Sequence, residues 1–281
     1  MNYTTLVSTS LLASHLDDPV WIIVDCRFEL KEPEWGFAEY QKAHIPGAAY
    51  ASLDRDLAGP ITPTSGRHPL PDPEQFKARL SNWGIDSSKQ VVIYDTAGGA
   101  FAARLWWMLR YFDHDAVAVL DGGFPKWMRE GRPTRAGIES RAPARFEGEA
   151  HPEWIAVTEE VDRIRIDPAY RLIDARTAIR YRGEQEPIDP IAGRIPGAAN
   201  RFHGDNLTPE GTFLTPDELK AQFEALLGGV RPENAVVYCG SGVTSAHHLV
   251  AMEHAGLKGA RLYLGSWSEW IRDERRARAK G

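Results

Sequence analysis

The segment "NAVVYCGSGVTSAHHLVAM" (residues 234–252) has an earlier counterpart in "QVVIYDTAGGAFAARLWWML" (90–109). Each opens with a short apolar run rich in β-branched residues and continues into a loop that contains glycine. Three further pairs recur in the same order at a nearly constant offset: "VWIIVDCRF" (20–28) with "YRLIDARTA" (170–178), "AHIPGA" (43–48) with "GRIPGA" (193–198), and "AVAVLDGGFPKW" (116–127) with "GARLYLGSWSEW" (259–270). This order indicates two tandem copies of one domain.

The apolar runs predict strands that are covered on both faces. The runs "WIIVD" (21–25), "VVIYD" (91–95) and "VAVLD" (117–121) do not alternate between apolar and polar residues, which favours a parallel sheet. Helices are predicted between them where Pro opens and Gly closes a segment, as in "PEQFKARLSNWG" (73–84) and "TPDELKAQFEALLGG" (215–229). We expect an α/β fold in which each copy is an open, mainly parallel sheet with helices on both faces.

The connection between the copies is predicted in the segment "GRPTRAGIESRAPARFEGEAHPEW" (131–154). It is rich in Gly, Pro, Arg and Glu and has no apolar period. We therefore expect an N-terminal domain over residues 1–135, a surface linker over 136–153 and a C-terminal domain over 154–281.

Composition excludes several classes of function. The chain has 281 residues and a net charge of −6 with scattered basic residues, so no cationic face for nucleic acid is expected. Residues 1–16 lack the pattern of a signal peptide, and no stretch approaches the roughly 20 apolar residues that span a bilayer. Cys26 and Cys239 are too few for a disulfide framework, which favours a reducing, cytoplasmic compartment.

Cys239 follows the predicted strand "AVVY" (235–238), and parallel sheets bind ligands at the carboxyl ends of their strands. Backbone N–H groups in the next loop, where Gly240 and Gly242 can adopt unusual dihedral angles, can cradle an anion. A thiol at a helix N-terminus has a lowered pKa and reacts as the thiolate. We expect Cys239 to be a nucleophile, and Asp95, its counterpart in the repeat, to mark the first copy as non-catalytic.

Other candidate residues are interpreted as structural. Cys26 has no glycine loop after it, which is typical of a buried and inert cysteine. His247 and His254 share a helix face, His248 lies elsewhere, and no cysteine or carboxylate stands at metal-binding spacing. We therefore expect no metal and no cofactor.

The tandem layout, the paired "HIPGA" and "RIPGA" segments, "CGSGVT" (239–244) and the closing "GSWSEW" (265–270) resemble the two-domain rhodanese-like sulfurtransferases over nearly the whole chain. The resemblance implies tandem rhodanese-like domains, with residues 239–244 as the active-site loop. This loop is similar to the family version that uses 3-mercaptopyruvate, whereas the thiosulfate version has bulky basic residues after the cysteine. Thiosulfate carries two negative charges, so nearby cations strengthen its binding more than that of 3-mercaptopyruvate, which has a single carboxylate.

The resemblance also implies a mechanism. A sulfane sulfur passes from 3-mercaptopyruvate to the Cys239 thiolate as a persulfide, and then to a thiophilic acceptor: a thiol, a thioredoxin-like dithiol or cyanide. The amides of residues 240–244, Val243 among them, are expected to hold the persulfide charge. We expect the Ser241 hydroxyl to bind substrate or sulfur, while Thr244 lines the loop and its hydroxyl is interpreted as a helix cap.

Substrate-binding arginines are expected after the strand that ends in "LID". The family pattern matches its carboxylate-binding arginine to Arg180, and Arg182 is expected to assist. The mercaptopyruvate enzymes usually have a second arginine where this chain has Asp189, so the donor preference stays open. We expect Arg194 or Arg201 to compensate, or a preference for thiosulfate or another donor.

A long polar loop, residues 50–71, supplies the remaining candidates. The resemblance aligns Asp54 and His68 with family positions that face the reactive cysteine. We expect His68 to move a proton or polarise the donor carbonyl, and Asp54 to orient it. Trp267 and Trp270 are expected to pack near the active-site loop.

Two other functions are considered. A cysteine-dependent phosphatase needs an arginine six residues beyond the cysteine, where this chain has Ser245. A module that only binds an anion or a partner is conceivable because the first copy lacks the nucleophile, but the intact "CGSGVT" loop argues against it. Thiosulfate:cyanide sulfurtransfer by the same Cys239 remains the alternative activity.

Overall fold

The computed structural model describes residues 2–281, which form two compact units. Unit 1 contains the described chain up to Gly59, Leu70–Ala150 and Leu207–Phe213. Unit 2 contains Pro60–Pro69, His151–Asn206 and Leu214–Gly281. Two short segments, 60–69 and 207–213, are therefore grouped with the other half of the chain, and the predicted domain limits stay a prediction. Most of the predicted linker also belongs to unit 1.

Backbone hydrogen bonds explain why the two short segments lie in these units. In unit 2 the Arg67 N–H donates to the Ser268 hydroxyl at 3.0 Å. In unit 1 the Phe213 N–H donates to the Asp121 carboxylate at 2.8 Å. Such contacts join residues far apart in the chain, so the local pattern around each segment does not reveal them.

Unit 1 is built around a parallel sheet. Its described strands are β1 (Leu6–Val7), β2 (Trp21–Asp25), β3 (Ala48–Tyr50), β4 (Gln90–Tyr94) and β5 (Val117–Leu120). Its described helices are α1 (Thr9–Ala13), α2 (Trp35–Lys42), α3 (Leu53–Asp56), α4 (Pro73–Asn82), α5 (Ala102–Tyr111) and α6 (Gly123–Arg129). The strand order is β1-β5-β4-β2-β3, and each pairing is parallel.

Unit 2 repeats this plan with a smaller sheet. Its described strands are β6 (Arg171–Asp174), β7 (Ala199–Asn200), β8 (Ala235–Tyr238) and β9 (Arg261–Leu262). Its described helices are α7 (Thr158–Ile164), α8 (Ala178–Tyr181), α9 (Pro216–Leu227), α10 (Ala246–His254) and α11 (Ser266–Trp270). Single 3₁₀ turns span Pro152–Trp154, His203–Asn206 and Pro232–Asn234.

The two sheets share one topology. The order β7-β6-β8-β9 in unit 2 matches β3-β2-β4-β5 in unit 1, which confirms the predicted α/β fold with a duplicated, parallel sheet. The central strands β4 and β8 are buried along their whole length, as expected for strands covered on both faces. No helix within residues 2–281 has the length and apolar character needed to cross a membrane.

Each unit also buries an ion pair at the end of its first long strand, β2 in unit 1 and β6 in unit 2. Arg27 Nη2 lies 2.6 Å from Asp25 Oδ2, and the Tyr94 hydroxyl donates to the same carboxylate at 2.8 Å. In unit 2, Arg176 and Asp174 form the same pair at 2.6 Å. The repeated Asp-x-Arg sequence therefore places one buried carboxylate–guanidinium pair in each unit.

Replacing Arg27 with Met should destabilise unit 1 by about 3–5 kcal/mol, because it leaves the Asp25 carboxylate buried without its cation. The measurement is urea unfolding followed by circular dichroism. Arg145→Met is the matched control, because Arg145 makes an exposed pair with Glu147 and such pairs contribute little. Equal unfolding midpoints for the two variants would contradict the proposed importance of the buried pair.

Candidate active site

Cys239 lies at the carboxyl end of β8 and is buried, with 2% of its surface exposed. Its N–H donates to the Ser266 hydroxyl at 3.1 Å, and its carbonyl accepts the Trp267 N–H at 3.1 Å. Ser266 has a φ of 54°, in the left-handed region that residues other than glycine rarely adopt. A strained residue of the closing motif therefore fixes the backbone of the reactive loop.

The two tryptophans of this motif make different hydrogen bonds. Trp267 contacts the active-site loop through its backbone, and its indole N–H donates to the Ile191 carbonyl at 2.8 Å. Both tryptophans belong to the apolar core of unit 2, and the Trp270 indole N–H donates to the Ala277 carbonyl. Among the described contacts of the two tryptophans, only Trp267 therefore makes a hydrogen bond to the active-site loop.

The Cys239 sulfur is surrounded by hydrogen-bond donors. The Ser245 hydroxyl donates to Sγ at 3.4 Å. Burial raises the pKa of the Cys239 thiol, but hydrogen bonds from the Ser245 and Thr244 hydroxyls and from the N–H groups of Ser241 and Ser245 outweigh it. The net result lowers the pKa to about 7. A large fraction of the thiol is therefore the reactive thiolate near neutral pH.

These contacts change the interpretation of the last loop residues. The N-cap of α10 is Ser245, and it makes no side-chain capping bond. The Thr244 hydroxyl bonds to the Cys239 sulfur and does not take the predicted N-cap position. In the sequence, Ser245 was considered only because a phosphatase would have an arginine there. Sequence reasoning missed that its hydroxyl donates to the Cys239 sulfur.

The two loop glycines both lie in crowded surroundings, and the crowding is more severe at Gly242. Gly242 has a φ of 75°, and a Cβ there would collide with the Leu264 carbonyl. At Gly240 a Cβ would lie 2.9 Å from Arg67 Nη2, so glycine leaves room for that guanidinium. Val243 is buried, with 3% of its surface exposed.

The equivalent loop of unit 1 holds a carboxylate. Asp95 accepts the N–H groups of Ala97 and Gly99 at 2.8 Å. It also accepts those of Phe101 and Ala102 at 2.8 and 2.9 Å. Converging backbone amides are suited to an anion, and in unit 1 the anion is part of the chain itself.

Cys26 is as buried as Cys239, but its pKa is shifted in the opposite direction. Burial raises its pKa well above the usual value, and the carboxylates of Asp25, Asp95 and Asp56 raise it further. The Cys26 thiol therefore stays protonated and unreactive.

His68 comes from the 60–69 segment of unit 2 and is buried, with 6% of its surface exposed. Its Nδ1 lies 2.7 Å from the Ser241 hydroxyl. The structure therefore brings together two residues that the sequence predicted separately. Asp54 has an exposed side chain in α3 of unit 1, and its orienting effect on His68 stays a prediction.

An alternating series of charges leads from the end of β6 toward the loop. The Asp174 carboxylate binds Arg176. Arg176 Nη1 lies 3.3 Å from Glu186 Oε2, and Arg180 Nη2 lies 2.7 Å from Glu186 Oε1. We call Asp174, Arg176, Glu186, Arg180, Asp189 and Arg67 the charge chain.

Asp189 connects the last two arginines of the charge chain. Its Oδ2 lies 3.2 Å from Arg180 Nη2, and its Oδ1 binds Arg67 Nη1. Burial lowers the pKa of Arg67, whereas the nearby Cys239 thiolate acts in the opposite direction. Sequence reasoning missed Arg67, although the unexpected acidic residue at 189 was a signal for a basic partner.

The other predicted arginines lie outside the charge chain. Arg182 is half-exposed and pairs with Glu184 at 2.5 Å. Arg194 donates to the C-terminal carbonyl at 2.6 Å, and Arg201 to a glutamine side chain at 2.7 Å. None is brought to the site, and the structure places Arg67 beside Arg180 where Arg194 or Arg201 was expected.

The histidines of α10 serve the packing of unit 2. Asn206 Nδ2 lies 3.0 Å from His247 Nδ1 and 2.9 Å from His248 Nδ1. Burial lowers the pKa of His248 well below its usual value. The described residues contain no group of three or more His, Cys, Asp or Glu side chains arranged to hold a metal ion.

Ser245→Ala should raise the Cys239 pKa from about 7 toward the usual cysteine value of about 8.5, because the thiolate loses a donor. Less thiolate is then present at pH 7, and the pH profile of alkylation by iodoacetamide moves to higher pH. Ser88→Ala, at an exposed serine of unit 1, should leave the profile unchanged. An unchanged profile in Ser245→Ala would contradict the assigned hydrogen bond.

The site can be compared with known proteins. A family model described as the rhodanese-like domain matches residues 8–130 and again 157–273. A relative from Pseudomonas aeruginosa named probable 3-mercaptopyruvate sulfurtransferase is 44% identical over 100% of both chains. A Mycobacterium tuberculosis relative named putative thiosulfate sulfurtransferase is 36% identical, covering 98% of this chain and 97% of that one.

A solved structure shows the same architecture. The Escherichia coli protein SseA, whose structure is described under 3-mercaptopyruvate sulfotransferases and the rhodanese fold, superposes with a TM-score of 0.81 at 33% identity. The match covers 95% of this chain and 100% of the E. coli chain. The likeness therefore extends over both units and is not confined to the active-site loop.

Proposed function

Because the chain belongs to the rhodanese-like family and is a sulfurtransferase, we propose that it moves sulfur from 3-mercaptopyruvate to a thiophilic acceptor through a Cys239 persulfide. One observation carries the proposal: the buried Cys239 sulfur is surrounded by donors that lower its pKa to about 7. The relatives named for mercaptopyruvate chemistry support the choice of donor.

The first half-reaction consumes the thiolate. Cys239 Sγ attacks the donor sulfur, a new S–S bond forms, and the C–S bond breaks with its electron pair passing to the carbon as the pyruvate enolate. The proton of the donor thiol is transferred to the enolate carbon, so the products are pyruvate and the Cys239 persulfide anion. The loop amides and the hydroxyls of Thr244 and Ser245 then stabilise the persulfide charge.

His68 and Ser241 are proposed to transfer the proton in this step. The 2.7 Å contact between His68 Nδ1 and the Ser241 hydroxyl joins a titratable ring to a loop hydroxyl two residues beyond the nucleophile. Through this pair a proton can pass between the donor thiol and the enolate carbon. Asp54 is proposed to orient His68.

In the second half-reaction an acceptor thiolate or cyanide attacks the outer sulfur and restores the Cys239 thiolate. We propose thiols, thioredoxin-like dithiols and cyanide as acceptors. Unit 1 is proposed to be non-catalytic, because Asp95 fills its loop. A reducing, cytoplasmic setting is proposed because Cys26 and Cys239 are both free thiols.

Thiosulfate is a second candidate donor, and one observation favours it. Arg67 lies beside Gly240, so a cation stands close to the loop although none of the loop residues is basic. The relative named putative thiosulfate sulfurtransferase agrees with this alternative. The ratio of kcat/KM for 3-mercaptopyruvate and thiosulfate decides between the donors.

Incubation with 3-mercaptopyruvate should add one sulfur to the peptide that carries Cys239, measured by mass spectrometry without reductant. Cys239→Ser should lose this sulfur and lower kcat by several orders of magnitude, because serine at this position is not a thiolate nucleophile. Cys26→Ala is the matched control and should keep both the sulfur and the turnover. Turnover by Cys239→Ser, or sulfur only on the Cys26 peptide, would contradict the proposed nucleophile.

A further inference from the structure

Three successive residues at the start of α11 bind the backbone of the active-site loop. The Ser266 hydroxyl accepts the Cys239 N–H at 3.1 Å, and the Trp267 N–H donates to the Cys239 carbonyl at 3.1 Å. The third residue, Ser268, donates its N–H to the Gly240 carbonyl at 2.9 Å. Ser268 is therefore tied through its backbone to the residue that follows the nucleophile.

The side chain of Ser268 binds the 60–69 segment of unit 2. Its hydroxyl accepts the Arg67 N–H at 3.0 Å and donates to the Gly265 carbonyl at 3.2 Å. Ser268 is buried, with 4% of its surface exposed. Because the hydroxyl proton is used toward Gly265, an oxygen lone pair stays available for the Arg67 N–H. One serine thus holds the segment and the active-site loop at the same time.

The 60–69 segment approaches α11 closely at a glycine. A Cβ at Gly66 would lie 2.5 Å from the Gly265 carbonyl oxygen and 3.0 Å from the Ser268 hydroxyl. Any larger residue would therefore push the segment away from Ser268. Close by, Arg272 Nε donates to the Ser65 carbonyl at 3.3 Å. The bond between Ser268 and the segment is consequently part of a tight contact.

Ser268 binds the residue that precedes each partner of one contact in the site. Arg67 precedes His68 and Gly240 precedes Ser241, and His68 Nδ1 lies 2.7 Å from the Ser241 hydroxyl. Successive Cα atoms are only about 3.8 Å apart, so a shift at either anchor is passed to the next residue. Proton transfer requires hydrogen-bond distance, and a misplacement of about 1 Å can lower a rate about 100-fold.

We propose that Ser268 is a positioning residue for the proton transfer of the first half-reaction. Its hydroxyl fixes the 60–69 segment against the active-site loop and so keeps His68 at hydrogen-bond distance from Ser241. The inference rests on the proposed function and assigns a role to a side chain that does not touch the reacting atoms. Ser268 acts on the rate through His68 and leaves the Cys239 thiolate as it is.

Ser268→Ala should lower kcat for 3-mercaptopyruvate by about 10- to 100-fold, because His68 loses its alignment with Ser241. The measurement is pyruvate release in a single turnover at saturating donor, where KM has no influence. The pH profile of Cys239 alkylation by iodoacetamide should stay centred near a pKa of about 7, because the donors to the sulfur are retained. This unchanged profile also shows that the loop is folded.

A double-mutant cycle shows whether Ser268 acts through His68. In a His68→Ala background, Ser268→Ala should lower the rate by no more than about twofold, because the histidine that it positions is already absent. Gly66→Ala perturbs the same contact from the segment side and should reproduce the loss of kcat and the unchanged alkylation profile.

Thr215→Ala is the matched control for a general loss of stability in unit 2. It removes a hydroxyl that caps α9 and makes no described contact with the active-site loop. The variant should be less stable and keep the kcat of the unaltered protein.

The outcomes separate this inference from the proposed function. An unchanged kcat in Ser268→Ala, an effect confined to KM, a shifted alkylation profile, or a full additional loss in the His68→Ala background would overturn the positioning role. Each of these results leaves sulfur transfer through Cys239 intact. Failure of the unaltered protein to form the Cys239 persulfide from 3-mercaptopyruvate would instead overturn the proposed function.

Discussion

The buried carboxylate of Asp174 is the group on which the arrangement of unit 2 depends. A completely buried negative charge is stable only with a cation and hydrogen bonds around it, and Arg176 provides them. The same Arg176 binds the Gly193 carbonyl at 2.7 Å and the Glu186 carboxylate. Glu186 in turn binds Arg180. The position of Arg180, a proposed substrate-binding residue, therefore depends on the ion pair at the end of β6.

The loops that follow β4 and β8 each surround one side chain with hydrogen-bond donors, but the side chain differs between them. In unit 1 the amides bind the side chain of Asp95, which belongs to the loop itself. In unit 2 amides and hydroxyls bind the Cys239 sulfur, whose charge depends on pH because its pKa is about 7. The two loops thus differ at one position, which is a carboxylate in unit 1 and a thiol, the proposed nucleophile, in unit 2.

The fold could be predicted from the sequence, and Cys239 could be identified as the candidate nucleophile, because both depend on local patterns in the repeated segments. Short apolar runs identify the strands, and the comparison of Asp95 with Cys239 identifies the loop that carries a thiol. The placement of the 60–69 segment in unit 2 could not be predicted in this way. It depends on contacts such as that of Arg67 with Asp189, which are 122 residues apart. Ser245 was overlooked because its expected role belonged to a different enzyme class.

The acidic residue at 189 has a different meaning once Arg67 is placed. Considered alone, Asp189 removes a positive charge from the family pattern and argues against a carboxylate donor. In the structure it lies between two guanidinium groups, where a buried carboxylate offsets their mutual repulsion. Without Asp189, Arg67 would lose this ion pair, whereas Arg180 would keep its pair with Glu186. Asp189 therefore offsets the charge that Arg67 brings to the site, and neither residue can be interpreted without the other.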